Sequence, residues 1–432
     1  MAAKIVRRTG DKLVVEVEID LSAKSMLSKE MAIREAVNEA GGLASSDALS
    51  TFDTDGSPII ADGVKWTSKG KHTEIYECPY GSIVVPRHVY QSSTGGKTFC
   101  PLESGARMIL NSTPAYAKTL SYNYAHGGAR RTAADLLESD GRKVCPAYIK
   151  NVCDFLGAVA AVKEDEWVYD LPDDARRATS VSVGLDGTCM LLIESGWRLA
   201  MTGTISFYND KGERLYTIYM GATPEYGKEK FLARFDRELA RVRKLLPNCE
   251  YVGLADGAPE NWTFLAPRTD RLVLDFYHST EYVKQAANSI FPGARRENER
   301  ISWVDDRLHR LKHKHGAAKR LLDEMTDHLS TVAAKHREPL QQTVTYFTNH
   351  YQKMGYAKQL VENMAIGSGV TEAACKELIK QRLCNSGMRW KEDGAAAVIA
   401  IRSLVLTGER WTQFWNRIAE SGCPCHKAYK QS

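Results

Sequence analysis

Two aspartates in this 432-residue sequence follow the same pattern, which is one that metal-binding carboxylates often follow. Asp256 comes after the apolar run 251–255 and before a glycine, which predicts a buried strand that ends at the carboxylate. Asp186 repeats this pattern after the β-branched run 180–185. The carboxyl ends of strands in open α/β sheets are where ligands and metal ions bind. An Asp-Gly pair is also a common turn sequence, so Asp256 taken alone could be an ordinary turn residue.

Glu372 is the third carboxylate, and it lies on a predicted helix. Residues 367–369 form a glycine-rich start, Ser368 is the predicted N-cap, and the helix continues to residue 383. Two aspartates at strand ends and one glutamate on a helix beside the sheet can surround a pair of Mg²⁺ ions, because Mg²⁺ prefers a few carboxylates with waters and phosphates. Two such ions about 3.5–4 Å apart can activate a water or a 3′-hydroxyl and stabilise the leaving oxygen.

The segments between these carboxylates alternate in pattern, as an α/β sheet with flanking helices requires. Strands are predicted at 190–194, 199–208, 214–219 and 272–276, and helices at 225–246 and 278–290. This order gives several antiparallel strands, then a helix, a parallel strand and another helix. The two aspartates would therefore lie at strand ends, with Glu372 on a helix packed beside the sheet.

Five short motifs occur in a fixed order along the chain. They are Leu-Asp-Gly at 185–187, Ala-Asp-Gly-Ala at 255–258, Leu-Asp-Phe-Tyr-His at 274–278, IGSGVTEAACK at 366–376 and KQRLCNSGMRW at 380–390. As an ordered set, covering about 80–415, they resemble the DDE transposases of bacterial insertion sequences and are closest to the Kra-type group. The resemblance implies an RNase H-like core with Asp186, Asp256 and Glu372 as the catalytic triad. It also implies supporting roles near the active site for Asp275 and His278.

The same resemblance implies a function. Such an enzyme binds the terminal inverted repeats of its own element, hydrolyses the end phosphodiester and transfers the strand into target DNA. Two Mg²⁺ ions, for which Mn²⁺ substitutes, would be held by the triad, and a homodimer or larger assembly would act on double-stranded DNA in the bacterial cytoplasm, with the nucleoid. Two alternatives stay open, a structure-selective RNase H-like nuclease and a non-catalytic DNA-binding regulator descended from a transposase.

Composition agrees with a DNA-handling protein without requiring one. The net charge is +5 and the isoelectric point is near 8.5, which permits an anionic polymer as partner. No apolar run reaches transmembrane length and the N-terminus lacks a hydrophobic signal region, so a soluble cytoplasmic protein with no membrane partner is expected. The ten cysteines lack regular spacing and are expected to be reduced thiols. Cys423, Cys425 and His426 resemble a metal cluster only superficially, because no partner pair lies nearby.

Three basic regions are candidate DNA contacts. A helix at 132–137, a glycine turn and a helix at 145–156 resemble a helix-turn-helix, although an ordinary helical hairpin has the same pattern. The basic residues around it are Arg130, Arg131, Arg142, Lys143 and Lys150. A helical stretch at 295–337 carries Arg307, Arg310, Lys312 and Lys314, which could also be a solvated helix face. Lys376, Lys380, Arg382, Arg389 and Trp390 follow Glu372 and would hold DNA close to the metals.

The predicted fold class is α/β, with the catalytic core split by an α-helical insertion before Glu372. The predicted domains are 1–110 (N-terminal α+β region), 111–165 (helical, helix-turn-helix-like), 178–292 (core, first part), 293–362 (helical insertion), 363–416 (core, second part) and 417–432 (tail). Within the N-terminal region, strands are predicted at 4–6 and 12–19, a helix at 25–40, a loop from Gly41 to about residue 56 and a β-hairpin at 75–90.

Overall fold

The computed structural model describes residues 3–61, 63–92, 95–96, 98–164, 166–225, 228–385 and 387–422. The chain forms two compact units, residues 1–168 with 396–432 and residues 169–395. Within the described residues, no helix combines the length and the apolar character that crossing a membrane requires.

The described strands form three sheets. The strands are β1 (Ala3–Thr9), β2 (Lys12–Val17), β3 (Ile59–Ala61), β4 (Val64–Cys78), β5 (Gly81–Ser92), β6 (Thr98–Phe99), β7 (Ser180–Leu192), β8 (Gly196–Tyr208), β9 (Arg214–Ala222), β10 (Glu250–Ala255) and β11 (Arg271–Leu274). β1 and β2 form an antiparallel pair, β3 to β6 form an antiparallel sheet in chain order, and the remaining strands form a mixed sheet in the order β11-β10-β7-β8-β9.

Helices fill most of the remaining chain. They are α1 (Met26–Ser50), α2 (Pro101–Gly105), α3 (Pro114–His126), α4 (Ala129–Asp140), α5 (Pro146–Lys163), α6 (Glu229–Leu245), α7 (Pro259–Leu265), α8 (Phe276–Ile290), α9 (Glu297–His313), α10 (Ala317–His328), α11 (Ala334–His350), α12 (Tyr356–Val361), α13 (Gly369–Ala374), α14 (Gln381–Leu383), α15 (Glu392–Leu406) and α16 (Glu409–Ser421).

In the first unit, α1 is longer than the sequence predicted. The glycine pair at 41–42 predicted a loop, but the helix passes through both glycines and ends at Ser50. Gly41 lies against the ring of Tyr80, where an added Cβ would be 2.4 Å from the ring. The glycine therefore allows close packing and does not break the helix. The β-hairpin prediction at 75–90 is confirmed by β4 and β5, which pair across the turn between Cys78 and Gly81.

The helical segment of the first unit contains the predicted helix pair. α4 and α5 are separated by Gly141, whose φ of +66° ends α4 in the left-handed conformation. α5 buries one apolar face, including Ile149, Phe155 and Leu156, and leaves Lys150 exposed. The pattern of apolar residues thus located both helices.

The second unit is organised around the mixed sheet. β10 is parallel to both β7 and β11, whereas β8 is antiparallel to β7 and β9 is antiparallel to β8. The prediction that the first strand ends at Asp186 is wrong, because β7 continues to Leu192 and pairs with β8 over its whole length. The run predicted at 190–194 is the end of this same strand. Cross-strand hydrogen bonding keeps the chain extended through the Asp-Gly pair.

Helices pack on both faces of this sheet. Gly184 lies on β7, and an added Cβ there would meet Thr371 of α13. Gly203 lies on the neighbouring strand β8, and an added Cβ there would meet Phe235 of α6. Because adjacent positions along paired strands face opposite sides, α13 and α6 cover opposite faces. The core includes Phe231, Phe235 and Leu239 of α6. The stretch 293–362, where a helical segment was predicted, contains the helices α9 to α12.

The helix that carries Glu372 is not uniform. It begins as α13, passes through a π-helical turn at Cys375–Lys380 and ends as α14. A continuous α-helix was predicted to residue 383. The predicted end of the helix is therefore correct, but the π turn within it was not predicted. π turns of this kind usually represent one residue accommodated within an α-helix and are frequent at functional sites.

Candidate active site

The three predicted carboxylates line one open cavity in the second unit. Asp186, Asp256 and Glu372 share this cavity, which has a volume of about 710 Å³, with Lys376 and Lys380. The two aspartates come from neighbouring parallel strands. Their pairing ends at Leu254 and Gly184, two residues before each aspartate, so Asp186 lies within β7 and Asp256 directly follows the end of β10.

Asp186 is half-buried in the middle of β7. It lies two residues beyond Gly184 and so on the same face of the sheet, the one that α13 covers. Its Oδ1 accepts a hydrogen bond from the backbone N–H of Gly187 at 2.7 Å. Burial raises the pKa of Asp186, and the negative charge of Asp256 raises it further, although the Gly187 hydrogen bond opposes both. The side chain is therefore a carboxylate that a nearby cation would stabilise.

Asp256 begins a turn and also faces the cavity. Its Oδ1 accepts from the backbone N–H of Ala258 at 3.2 Å and from Nδ2 of Asn261 at 3.4 Å. Asn261 also donates to the carbonyl of Leu185 at 3.4 Å, which ties the turn to β7. The hydroxyl of Tyr346 donates to the backbone carbonyl of Asp256 at 3.0 Å. Asp256 is therefore a turn residue and, at the same time, a carboxylate that faces the cavity.

Glu372 lies on α13 and is exposed toward the cavity. The preceding residue, Thr371, is buried and its Oγ1 lies 2.6 Å from Oγ1 of Thr204 on β8. Gly184 of β7 makes this close approach possible, since an added Cβ would be 2.0 Å from Oγ1 of Thr371. Thr371 and Gly184 therefore fix the distance between the helix of Glu372 and the strand of Asp186. Sequence reasoning missed both residues, although a glycine inside a strand often marks such a close contact.

Asp275 is fully buried at the end of β11 and is the N-cap of α8. Its Oδ1 accepts from the backbone N–H of His278 at 2.6 Å. Its Oδ2 accepts from both the backbone N–H and the hydroxyl of Ser368, the latter at 2.6 Å. Asp275 does not line the cavity, whereas His278 does.

His278 also lines a second, adjoining cavity of about 470 Å³. Tyr282 and Tyr346 form one wall of this cavity and stack with ring centroids 3.6 Å apart. The imidazole is half-buried and lies edge-on to Tyr282, with centroids 5.6 Å apart. This position allows His278 to contact a substrate that occupies the carboxylate cavity.

The donor set is chemically suited to Mg²⁺ or Mn²⁺, because three carboxylates facing one open cavity supply hard oxygen ligands. As arranged in the described part of the chain, however, no three or more His, Cys, Asp or Glu side chains form a group that could hold a metal ion. The carboxylates would have to approach one another when ions bind. Cys423, Cys425 and His426, which were not expected to bind a metal, lie outside the described residues.

The predicted DNA contacts are placed in different environments. The exposed ones are Arg130, Arg131, Lys143, Lys150, Arg310, Lys314, Lys376, Lys380 and Arg389. Of these, Arg131, Lys150 and Arg310 each pair at the surface with an aspartate four residues away. Three other arginines are buried or half-buried and are held by protein groups. Arg142 is buried and donates to Oε2 of Glu77 at 2.8 Å. Arg307 makes two hydrogen bonds of 2.7 Å to the carboxylate of Glu324.

Arg382 is the third of these arginines, buried with its guanidinium 5.1 Å from the ring centre of Trp390. Trp390 itself is half-buried and donates to the carbonyl of Leu383 at 2.9 Å. Lys312 is half-buried, with Nζ 5.7 Å from the ring centre of Phe276. The sequence does not distinguish these residues from the exposed ones, because their partners lie elsewhere in the chain. We leave the three arginines out of the proposed DNA-binding surface.

Known proteins offer little to compare with this geometry. No protein-family model and no curated protein matches the chain. Among solved structures, the chain is similar to the Drosophila P element transposase strand transfer complex, with 10% sequence identity over 72% of this chain and 82% of that chain and a TM-score of 0.25. A TM-score this low carries no argument about fold or function.

Proposed function

We propose that this protein is a DNA transposase of the DDE type, with Asp186, Asp256 and Glu372 as its catalytic carboxylates. The observation that carries the proposal is that these residues come from two adjacent strands and a covering helix and face one open cavity. The sheet has the strand order β9-β8-β7-β10-β11, and β8 runs antiparallel to the other four strands. This topology supports an RNase H-like core. The Kra-type motifs in the sequence support the finer assignment.

The three carboxylates would hold two Mg²⁺ or Mn²⁺ ions. Bound there, such ions lower the pKa of an attacking water or 3′-hydroxyl and stabilise the leaving oxygen. The protein itself would position the DNA. Lys376 and Lys380 are exposed at the cavity and provide positive charge for the phosphates beside the scissile bond. His278, which lines the same cavity, would also contact the DNA strand.

The helices α4 and α5 are the proposed end-binding element, with Arg130, Arg131, Lys143 and Lys150 exposed. In the insertion, Arg310 and Lys314 provide further exposed positive charge for the DNA backbone. Since two element ends must be joined to one target, we propose that the active form on DNA is a dimer or a larger assembly.

The test is cleavage of labelled DNA that carries the sequence flanking this gene, with Mg²⁺, with Mn²⁺ and with EDTA. We expect metal-dependent nicking at the element end, and joining of the freed 3′ end to target DNA. Asp186→Asn, Asp256→Asn and Glu372→Gln should each abolish both products and retain end binding. Glu377→Gln is the matched control, because Glu377 lies on the same helix outside the cavity.

The products distinguish this function from the two alternatives. Nicking of branched DNA without joined products would indicate a structure-selective nuclease. Specific binding to the ends without cleavage in either metal would indicate a DNA-binding regulator. Cleavage that persists in Glu372→Gln would overturn the assignment of the triad.

A further inference from the structure

Asp275 is a buried carboxylate whose hydrogen bonds lead to the catalytic helix. Its side chain is fully buried, and a buried carboxylate is costly unless donors surround it. The donors are the backbone N–H of His278, the backbone N–H of Ser368 and the hydroxyl of Ser368. Two of the three donors thus belong to Ser368, the residue directly before α13.

Ser368 occupies the N-cap position of α13 but its side chain makes no cap hydrogen bond there. The hydroxyl instead lies 2.6 Å from Oδ2 of Asp275 and 3.2 Å from Oε1 of Glu372. Its single proton can be donated to either carboxylate. The backbone N–H of Glu372 also donates to the carbonyl of Ser368 at 2.9 Å.

Asp275 is in turn fixed to the strand of Asp256. Its backbone N–H donates at 2.9 Å to the carbonyl of Ala255, the residue immediately before Asp256. The next residue, Phe276, donates at 3.0 Å to the carbonyl of Ile366, which holds the chain where it returns toward α13. Short hydrogen bonds therefore connect the end of β10 to Glu372 through Asp275 and Ser368.

We propose that Ser368 is a positioning residue for Glu372, with Asp275 as its anchor on the sheet. This inference rests on the proposed function, since it assigns Glu372 a catalytic role. It gives the Asp-x-x-His motif at 275–278 a specific task, namely to cap α8 and to hold the start of the catalytic helix at a set position beside β10. Residues that orient a metal-binding carboxylate in this way commonly affect activity without touching the substrate.

The test compares Ser368→Ala, Ser368→Thr and the wild type in single-turnover cleavage of end DNA. Ser368→Ala should lower the cleavage rate constant by about 10- to 100-fold while the Kd for end DNA is unchanged. Ser368→Thr retains the hydroxyl and should restore most of the rate. Ser289→Ala is the matched control, because Ser289 is also buried but donates only to the carbonyl of Gln285.

A second measurement does not depend on cleavage. Hydrogen–deuterium exchange of the peptide 366–376 should be faster in Ser368→Ala and in Asp275→Asn than in Ser289→Ala. Each variant is measured at the same interval below its own melting temperature, so that global stability does not decide the comparison. The double variant Asp275→Asn with Ser368→Ala should add little to either single change, because both act through one connection.

The outcomes separate this inference from the proposed function. If the wild type does not cleave but exchange in 366–376 rises as expected, the transposase assignment fails and the connection from Asp275 to the helix stands. If the wild type cleaves and Ser368→Ala cleaves at the same rate, the positioning role is overturned. A loss of rate in Ser368→Ala that Ser368→Thr does not restore would also overturn it, as would exchange no faster than in Ser289→Ala.

Discussion

The substitution Gly184→Ala tests whether close packing of α13 on β7 sets the geometry of the site. An added Cβ would lie 2.0 Å from Oγ1 of Thr371, and ordinary contact begins at 3.4 Å, so the shortfall is 3.4 − 2.0 = 1.4 Å. Rotating the threonine hydroxyl away does not suffice, because its Cβ would still be only 3.1 Å from the new atom. The helix must therefore move by a few tenths of an ångström if the hydroxyl rotates, and by more if Thr371 keeps its hydrogen bond with Thr204. Glu372 follows directly after Thr371 and would move with it.

A displacement of about 1 Å at a reacting centre can cost about 100-fold in rate. We therefore expect Gly184→Ala to lower the single-turnover cleavage rate by up to about 100-fold, with end binding retained. Overpacking should also lower the free energy of unfolding by about 1–3 kcal/mol. Cleavage of end DNA and thermal melting of the same preparations measure the two effects.

Gly203→Ala is the control that separates the two effects. Its added Cβ would lie 2.6 Å from the ring of Phe235 on α6, which covers the opposite face of the sheet. It should lose stability to a similar extent and keep its cleavage rate. Adding Thr371→Ala to Gly184→Ala removes the clashing hydroxyl and should recover part of the rate. If Gly184→Ala cleaves as fast as Gly203→Ala, the packing of α13 does not set the position of Glu372.

Other predictions concern pH, salt and the insertion. Burial raises the pKa of Glu324, but hydrogen bonds from Arg307 and Trp303 outweigh it and hold that pKa below its ordinary value. The stabilisation is thus present above the ordinary pKa and is lost as pH falls through the lowered one. Melting temperature between pH 7 and about pH 3 should therefore fall less in Glu324→Gln than in the wild type. Equal falls would contradict this. Lys376→Ala and Lys380→Ala should each weaken DNA binding and reduce the slope of log K against log salt by about one. Unchanged slopes would remove these lysines from the DNA-binding surface.

Local sequence patterns predicted the elements that depend on local sequence. The apolar run before Asp256 is β10, and the amphipathic stretch that leads into β10 is α6. The N-cap role of Asp275 was not predicted, because the strand was expected to continue to residue 276. Hydrophobic periodicity and capping act over a few residues, so they can be found without knowing the fold.

What the sequence did not predict depends on residues that are distant along the chain. β7 continues through Asp186 because β8 pairs with it, and Arg142 is buried because Glu77 lies 65 residues away in sequence but 2.8 Å away in space. The glycine at 41 lies within a helix because it packs against Tyr80. In each case a tertiary contact decides the local structure, and the neighbouring residues in the sequence do not indicate that contact.

The π-helical turn at Cys375–Lys380 also affects how this chain should be aligned with others. If the turn contains one extra residue, a protein with an unbroken α-helix here has one residue fewer between its catalytic glutamate and its following basic residues. An alignment that keeps this helix free of gaps would then shift every later position by one, and would match Arg382 or Trp390 to the wrong neighbour. A single gap placed within the π turn restores the correspondence on both sides of it.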